Sequence, residues 1–491
     1  MSTYKSIVKT TGLIGFVQII QILFGMIRNK AIAIMVGSKG YGLWALYNSF
    51  LDITSKFSLM GLDKSGVKEI AKNTKDKNEI AKIIFTFRTS IFVVSLFTAG
   101  ACIVFSKKIS NSLFLSEDYY LGVILVSIVV LFNGISMGQK SILNGLRDLR
   151  GLAISQVIGA AVGSIVSIIS VYIWGIQGIP LYIFLVGLTA FLSTGYFVRK
   201  LQIIKVIPTL FEYTSEIKTL LKIGFGFSIA GVIAAFMTYL GRVYLTEHFD
   251  LSAVGIYQAS WVISNLYIGT VLGAMGVDLM PRLSKVIGDK VLANKLINEQ
   301  MELGLLIAGL GVVGILIYSP VVLNLFYSSE FVLGKSIIQY QVLGVSLRVL
   351  GFPFSYVIMT KERSTIYIVV QSIFWFSDYL LLVFFSKYIG FDGLGINYFI
   401  SYLLYFLITW RVTIRLIDFK FSSLLKKLIF RVYLFISLAF ISKYLSYPMD
   451  YTVGSMILVF YAIWLFITLR KDMDIDLKHL FKDKIWKLWK N

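Results

Sequence analysis

Long apolar stretches separated by short polar loops run through the whole 491-residue chain. A helix needs about 20 apolar residues to cross the hydrocarbon core of a bilayer. The pattern therefore predicts an all-α integral membrane protein with about 14 transmembrane helices. The predicted spans lie near residues 11–36, 40–62, 83–105, 119–143, 151–174, 179–199, 223–246, 253–280, 301–326, 336–360, 364–387, 393–416, 424–445 and 451–470.

The composition and the loop lengths leave little room for a soluble enzyme. Hydrophobic residues make up 57% of the chain and charged residues 15%, against roughly 25% charged residues in soluble domains. The longest predicted outer loop, near 106–118, is short, and no loop carries a cluster of carboxylates. With Cys102 as the only cysteine and His248 and His479 as the only histidines, we predict no disulfide framework, metal site, cofactor or catalytic residues.

The net charge of +21 would favour nucleic acid as the partner of a soluble protein, but the distribution of the charge indicates a membrane topology instead. With the N-terminus placed in the cytoplasm, 34 of the 47 Lys and Arg residues fall in cytoplasmic segments and 6 in outer loops. This bias is the positive-inside pattern of membrane proteins. It predicts that both termini are cytoplasmic and that the chain binds no nucleic acid.

One segment, Gly61–Lys68, superficially resembles a phosphate-binding loop. It lacks the adjacent Gly-Lys pair, the following Ser or Thr and the strand context of such a loop. We therefore expect no nucleotide partner and no transport driven by ATP hydrolysis on this chain.

The chain also contains a weak internal repeat, in which four features recur in order at offsets of 213 to 216 positions. The matched features are Arg28 with Arg242, Gly42 with Gly255, Met60-Gly61-Leu62-Asp63 with Met275-Gly276-Val277-Asp278, and Arg147 with Arg363. A duplicated unit of six spans keeps its orientation, so the two copies should be related by a pseudo-twofold axis along the membrane normal.

This repeat predicts the domain organisation of the chain. We expect two pseudo-symmetric six-helix lobes, an extra C-terminal helix pair, and a basic amphipathic tail that lies on the cytoplasmic leaflet. The corresponding ranges are 1–200 for the N-lobe, 201–222 for a cytoplasmic linker, 223–420 for the C-lobe, 421–470 for spans thirteen and fourteen, and 471–491 for the tail.

Charged residues inside the predicted spans are the candidate functional residues, because charges in a bilayer are costly and usually face a cavity or a partner. The basic ones are Arg28, Lys30, Lys56, Arg88, Lys140, Arg242 and Arg348, and the acidic ones are Asp52, Glu247, Asp278 and Asp378. A cavity lined with this basic excess should favour an anionic group, whose phosphate oxygens the planar guanidinium fork binds well.

Structural roles compete with this interpretation at several positions. Asp52 and Lys56 are four residues apart on one helix and can form a purely structural ion pair. Arg88 and Lys140 lie near the predicted cytoplasmic surface and can extend towards the headgroups. Asp378 is either a site for a coupling proton or sodium ion or a partner for one of the basic residues.

Several short motifs carry a resemblance to a known group of transporters. They are Gly12-Leu13-Ile14-Gly15, Arg28, Gly40-Tyr41-Gly42-Leu43-Trp44, Gly61-Leu62-Asp63-Lys64-Ser65-Gly66 and Asn144-Gly145-Leu146-Arg147-Asp148. With these motifs the chain resembles the polysaccharide transporters of the multidrug/oligosaccharidyl-lipid/polysaccharide (MOP) exporter superfamily, and within it the O-antigen flippases. The similarity covers roughly residues 1–420; twelve spans are common among O-antigen flippases, and the extra pair at 424–470 departs from that number.

The resemblance implies a non-enzymatic flippase in the bacterial cytoplasmic membrane. Its substrate would be undecaprenyl diphosphate carrying an oligosaccharide repeat unit of an O-antigen, capsule or exopolysaccharide, moved to the outer leaflet by alternating access. Polysaccharide polymerase machinery is an expected partner. Cationic residues of the central cavity would bind the diphosphate, and the matching residues here are Arg28, Arg242, Arg348 and Lys56.

Two other functions remain open from the sequence. A cation-coupled multidrug exporter of the same superfamily would need buried carboxylates, and seven basic against four acidic residues in the spans weigh against it. A membrane glycan polymerase or ligase would more plausibly carry a sizeable extramembrane loop with clustered carboxylates.

Overall fold

The computed structural model describes residues 3–72, 76–204, 206–471 and 473, and within these ranges the secondary structure is helical, with no strand. Short 3-10 turns lie at Glu117–Tyr119, Gly175–Gln177, Ser329–Gly334 and Gly390–Asp392. The α-helices are α1 Thr3–Leu59, α2 Leu62–Lys72, α3 Lys77–Val104, α4 Ser106–Phe114, α5 Tyr120–Gly145, α6 Leu149–Trp174, α7 Gly178–Lys200, α8 Leu210–His248, α9 Leu251–Val286, α10 Lys290–Phe326, α11 Lys335–Thr360, α12 Ser364–Ile389, α13 Gly393–Ile417, α14 Ser423–Ser442 and α15 Met449–Lys471.

The helices confirm the predicted class of an all-α membrane protein. Each predicted span coincides with one long helix or, in α1, with half of one. Nine helical stretches of the described chain are long and apolar enough to cross a bilayer, or ten when the bent stretch 251–286 is counted. Three of the nine, Val17–Leu59, Leu149–Lys200 and Ser364–Ile417, each contain two of the predicted spans. The number fourteen stays a prediction.

A break at Gly37 divides α1 into the first two predicted spans. Gly37 has a φ of 64°, which non-glycine residues rarely adopt. A side chain at this position would also come within 2.9 Å of the Glu330 carboxylate. That carboxylate accepts a hydrogen bond from the Ser38 amide at 3.0 Å. The negative group at the start of the second half-helix suits the positive end of the helix dipole there.

The repeat seen in the sequence returns in the helix bounds. Helices α5, α6 and α7 begin at Tyr120, Leu149 and Gly178, and helices α11, α12 and α13 begin exactly 215 positions later in each case. Residues with positive φ recur at the same offset, at Gly175 and Gly390 and at Arg147 and Glu362. By this spacing Arg147 corresponds to Glu362, which is one position before Arg363, the residue matched with it in the sequence.

The glycines matched by the repeat contact each other. A Cβ atom on Gly42 of α1 would lie 3.1 Å from the Gly255 amide nitrogen of α9, and a Cβ on Gly255 would lie 2.9 Å from the Gly42 nitrogen. The two backbones approach so closely that Cβ atoms would overlap Leu251 and Ser38 carbonyl oxygens. Reciprocal contact of matched residues is what a twofold relation produces.

The described chain divides into two compact units. The first comprises Met1–Ala259, Leu323–Leu333 and Gln371–Phe384. Its apolar core joins the end of α1 to α2, α3, α5, α7 and α8 through Leu59, Leu62, Ile70, Ile80, Ile83, Ile84, Phe87, Ile91, Ile142, Leu143, Val198 and Leu220. In the predicted linker 201–222, residues 202–204 and 206–209 lie outside any helix, and a capping box of Thr209 with Glu212 starts α8.

The second unit comprises Ser260–Val322, Gly334–Val370 and Phe385–Asn491. In this unit α11 packs against α13 and α14 against α15. The Tyr461 hydroxyl of α15 donates to the Leu306 carbonyl of α10 at 2.9 Å, so the extra helix pair is packed onto the unit. The lobe boundaries of the sequence analysis stay a prediction, and the predicted amphipathic helix in 471–491 lies almost wholly outside the described residues.

Candidate functional site

Arg28 lies half-buried in the first half of α1, in the first compact unit. Its Cζ atom is 6.0 Å from the centre of the Tyr182 ring of α7, which is within cation-π distance. The Nε–H group is buried without a hydrogen-bond partner. In the part of the chain that the structure describes, no carboxylate forms an ion pair with Arg28. A guanidinium with unused donors is therefore held against an aromatic ring.

Aromatic contacts fix the position of that ring. The Trp44 indole N–H donates to the Tyr182 hydroxyl at 2.7 Å. Trp44 in turn packs on Tyr41, with ring centres 4.8 Å apart. The Tyr41 and Tyr327 hydroxyls lie 3.3 Å from each other, and both side chains are buried. Because Trp44 and Tyr41 belong to the second half of α1, the break at Gly37 brings the two halves of this helix to one site.

Arg242 of α8 has a different set of contacts. Its Nη1 donates to the Ala45 carbonyl at 3.0 Å and to the Ser49 hydroxyl, both on α1. Its Nη2 donates to the Gln258 side-chain carbonyl of α9 at 2.6 Å. The Nε–H is buried without a partner, as in Arg28. Arg242 therefore ties three helices together through neutral acceptors and keeps one donor unused.

The charges of both arginines remain available to an anion. Arg28 is connected to Tyr41 through the rings of Tyr182 and Trp44, and Arg242 donates to Ala45, one helical turn after Tyr41 on α1. Asp52 also interacts electrostatically with Arg242, although no ion pair joins them among the described residues. Buried N–H groups without acceptors are uncommon in folded proteins and call for an explanation.

The remaining residues predicted in this unit have other surroundings. Asp52 and Lys56 are exposed. Among the described residues, they do not form an ion pair with each other. The aliphatic part of Lys56 lies beside Gly231 of α8. Asp378 is half-buried in α12 and interacts with a neighbouring residue.

Arg348 lies in α11, in the second compact unit. Its Nη1 donates to the Asn265 side-chain carbonyl, which also accepts from the Tyr398 hydroxyl at 3.4 Å. Its Cζ is 5.6 Å from the centre of the Tyr402 ring. Arg348 thus combines one neutral acceptor with a cation-π contact, a setting between those of Arg242 and Arg28.

Sequence reasoning identified the arginines but missed the residues that position them. Tyr41 and Trp44 stand inside the motif Gly40-Tyr41-Gly42-Leu43-Trp44, and Gln258 lies three residues after the repeat-matched Gly255, so these positions could have been found from the sequence. Ser49 and Tyr402 carry no such signal. They meet their arginines only through helix packing.

The fold that carries these sites is that of a membrane transporter. The lipid II flippase MurJ in its inward closed conformation superimposes with a TM-score of 0.73 at 14% identity, over 94% of this chain and 99% of that one. An inward-facing multidrug resistance MATE family transporter of the MOP superfamily gives a TM-score of 0.69 at 15% identity, over 81% and 95%.

The family model described as polysaccharide biosynthesis protein matches residues 7–287, more than half of the chain, and the chain belongs to this family. The chain is 21% identical over 395 residues to the lipid III flippase of Escherichia coli strain K12, covering 79% of this chain and 93% of that protein. A candidate O-antigen transporter of Shigella flexneri is 24% identical over 325 residues, covering 65% and 75%.

These findings confirm the predicted superfamily. The relatives are named for transport and not for catalysis, which agrees with the prediction that the chain is not an enzyme. With its long apolar helices, the chain is a multi-pass protein of the bacterial inner membrane. The assignment of Arg28, Arg242, Arg348 and Lys56 to substrate binding stays a prediction.

Proposed function

We propose that the chain is a flippase that moves a polyprenyl-diphosphate-linked oligosaccharide from the cytoplasmic to the outer leaflet. The observation that carries the proposal is Arg28, a guanidinium inside a membrane-spanning helix with no hydrogen-bond partner for its side chain among the described residues and with a buried, unused Nε–H. An intramembrane charge left without a protein counter-ion indicates a functional site. Relatives named as lipid III flippase and O-antigen transporter support a lipid-linked glycan as the cargo.

A diphosphate matches this arrangement chemically. Guanidinium presents up to five N–H donors in a planar fork, and phosphate oxygens accept two of them side by side. Arg28 has no protein hydrogen-bond partner for this fork among the described residues. Arg242 adds charge and one orphaned donor from a position that its three hydrogen bonds hold fixed. Trp44, which contacts Tyr182 and is partly exposed, has a flat apolar ring of the kind on which sugar rings stack.

The proposal keeps the topology predicted from the loops, with both termini in the cytoplasm and two six-helix lobes that alternate in access. The 215-residue spacing of three helices and the reciprocal contact of Gly42 and Gly255 support the repeat on which the lobes depend. Labelling of single introduced cysteines in a Cys102→Ser background tests the topology. Positions 147 and 363 should react only from the inside, and positions 107 and 335 from the outside.

Deletion of the gene in the native bacterium tests the cargo. We expect lipid-linked oligosaccharides to accumulate, and a membrane-impermeant glycosidase or lectin should fail to reach them in intact spheroplasts. Re-expression of the chain should return the repeat units to the outer leaflet. Normal surface glycan and no stranded intermediate in the deletion strain would overturn the proposal.

Purified protein in vesicles separates this function from its rivals. Wild-type protein should translocate a labelled polyprenyl-diphosphate oligosaccharide and should leave a cationic drug and a neutral glycolipid in place. Drug efflux without glycolipid movement would identify a multidrug exporter instead. Extension of the glycan by the protein alone would identify a polymerase or ligase.

A further inference from the structure

A large cavity lies in the first unit, apart from the arginines described above. It has a volume of about 1170 Å³, above the roughly 300–1,000 Å³ of most small-molecule sites. It is surrounded by one face of α3, the second half of α5, one face of α7 and the non-helical residues after α7. Its walls are mainly apolar, with Phe85, Phe92, Phe191, Leu192, Tyr196 and Ile204 among them.

The apolar walls are open to the membrane. Phe92, Leu192 and Tyr196 expose 45%, 57% and 56% of their surfaces. In a chain that spans a bilayer, exposed apolar side chains on the outer faces of helices contact lipid and not water. The cavity is therefore a lateral groove that an acyl chain can enter from the bilayer.

Two arginines give this groove a charged end. Arg88 of α3 and Arg199 of α7 both line it, and both are exposed. Neither side chain has a carboxylate or another hydrogen-bond partner among the residues that the structure describes. Both lie towards the end of the unit that the loop charges place in the cytoplasm. The groove therefore combines an apolar surface that can contact acyl chains with two positive charges, without ion-pair partners among the described residues, at its cytoplasmic end.

The segment after α7 adds polar backbone to the same end. Residues 203–204 and 206–209 lie outside any helix, and exposed Ile204 and Ile207 each follow a less exposed residue, Ile203 and Val206 respectively. The amides of these four residues have no backbone acceptor among the described residues. Unpaired amides beside hydrocarbon are costly unless a polar ligand or water satisfies them. A lipid headgroup with phosphate and ester oxygens supplies such acceptors.

We propose that this groove is a binding site for an anionic diacyl phospholipid of the inner leaflet. The acyl chains lie along Phe92, Leu192 and Tyr196, and the phosphate is bound by Arg88 and Arg199. The non-helical residues 203–204 and 206–207 lie beside the glycerol region. The site is separate from the diphosphate site around Arg28, so its failure would leave the proposed function untouched.

The experiment measures how tightly defined lipids stay on the purified full-length protein. Delipidated protein is titrated with phosphatidylglycerol or phosphatidylcholine and analysed by native mass spectrometry. Wild-type protein should retain phosphatidylglycerol in preference to phosphatidylcholine. The double variant Arg88→Gln/Arg199→Gln should bind phosphatidylglycerol about 10-fold more weakly, because each arginine near an anionic headgroup contributes separately.

Two further variants keep the test specific. Arg411→Gln/Arg415→Gln removes two exposed arginines of α13 and should leave phosphatidylglycerol retention unchanged. Leu192→Trp fills part of the groove and keeps both arginines. It should also weaken retention of phosphatidylglycerol, because the larger side chain occupies the space of the acyl chains. Equal retention of both lipids by wild-type protein, or unchanged retention in the arginine variant, overturns the proposal.

Discussion

Arg28 and Arg242 are matched by the repeat in the sequence, at an offset of 214 positions, yet their surroundings in the structure differ. Arg242 donates three hydrogen bonds to neutral acceptors on α1 and α9. Arg28 has no hydrogen-bond partner for its side chain among the described residues and rests on the ring of Tyr182. Hydrogen bonds to neighbouring helices therefore fix the position of Arg242, whereas the side-chain donors of Arg28 have no protein acceptor among the described residues.

The comparison shows what an internal repeat does and does not transfer. Repetition of a helix reproduces the position of a residue, but the acceptors around it come from whichever helices pack there. In the first copy the neighbour is an aromatic ring, and in the second copy it is a carbonyl, a hydroxyl and an amide. We therefore expect the same substitution to have different effects at the two positions.

The largest effect is expected for Arg242→Gln. The change leaves the Ala45 carbonyl, the Ser49 hydroxyl and the Gln258 amide without their shared donor inside the membrane. Since a hydrogen bond to a charged group contributes about 1.5–3 kcal/mol and orphaned buried groups add to the loss, we expect destabilisation of about 3 kcal/mol. Thermal unfolding of the purified protein in detergent measures it. A melting temperature equal to that of wild type would show that the three contacts are not structural.

Arg28→Gln should have the opposite profile, with thermal unfolding unchanged and glycolipid transport reduced. The loss of about 2 kcal/mol of charge-assisted binding corresponds to a roughly 30-fold decrease in transport. Arg28→Lys keeps the charge but not the fork, so it should recover part of the activity. The measurement is translocation of labelled polyprenyl-diphosphate oligosaccharide into vesicles, with Arg411→Gln as the control. Wild-type transport by the glutamine variant would remove Arg28 from the substrate site.

Gln258→Glu tests the positive charge of Arg242 while keeping the contacts of Arg242 with neighbouring helices. A carboxylate here would lie within about 3 Å of Nη2 and form a charge-assisted bond, so the protein should stay folded. The pair would neutralise the positive charge that the diphosphate requires, and we expect transport to fall about 10-fold. The vesicle assay and thermal unfolding are run together. Undiminished transport would mean that Arg242 acts only as a tie between helices.

The smallest effect is expected at the exposed start of α8, the helix that carries Arg242. Lys82 donates to Glu212 at 2.5 Å, and the Thr209 amide and hydroxyl also donate to this carboxylate. These hydrogen bonds, with that of Lys82 the strongest, lower the pKa of Glu212 from 4.5 to about 2.

Because the folded state binds its proton less readily than the unfolded state, the contribution of Glu212 to stability is present above pH 4.5 and is lost as the pH falls towards 2. Glu212→Gln should lower the melting temperature slightly at pH 6, and the difference from wild type should shrink through that window. Melting curves recorded from pH 6 to pH 2.5 measure the change. A difference that is constant with pH would contradict the ion pair.

Much of the fold was readable because a bilayer imposes strong rules on a sequence. Apolar stretches of span length became helices, and Gly37 separates the first two spans where the pattern placed a loop. The repeat offset also survived, at 215 positions in three successive helices. The linker was less readable, because α8 begins at Leu210 within the polar stretch that separates the predicted lobes. Its start is decided by the capping box of Thr209 and Glu212 and by packing, and not by hydropathy.

The candidate site was readable only in part. Charge inside a span singled out Arg28, Arg242 and Arg348, because uncompensated charge in hydrocarbon is rarely without purpose. The same reasoning treated Asp52 and Lys56 as a possible pair, and the two side chains are exposed without an ion pair between them. Spacing along a helix permits such a pair but does not require it, since rotamers and neighbouring helices decide where each head group points.

By itself, the sequence determined the membrane class, the approximate helix bounds, the repeat and the excess of positive charge within the spans. These properties follow from hydrophobicity and charge, which act residue by residue against the lipid. Only the tertiary structure decided that Arg242 is tied to Ser49 and Gln258 while Arg28 keeps its donors beside Tyr182. Hydrogen bonds between helices depend on distances of a few ångströms across the packed unit, and no local pattern along the chain encodes those distances.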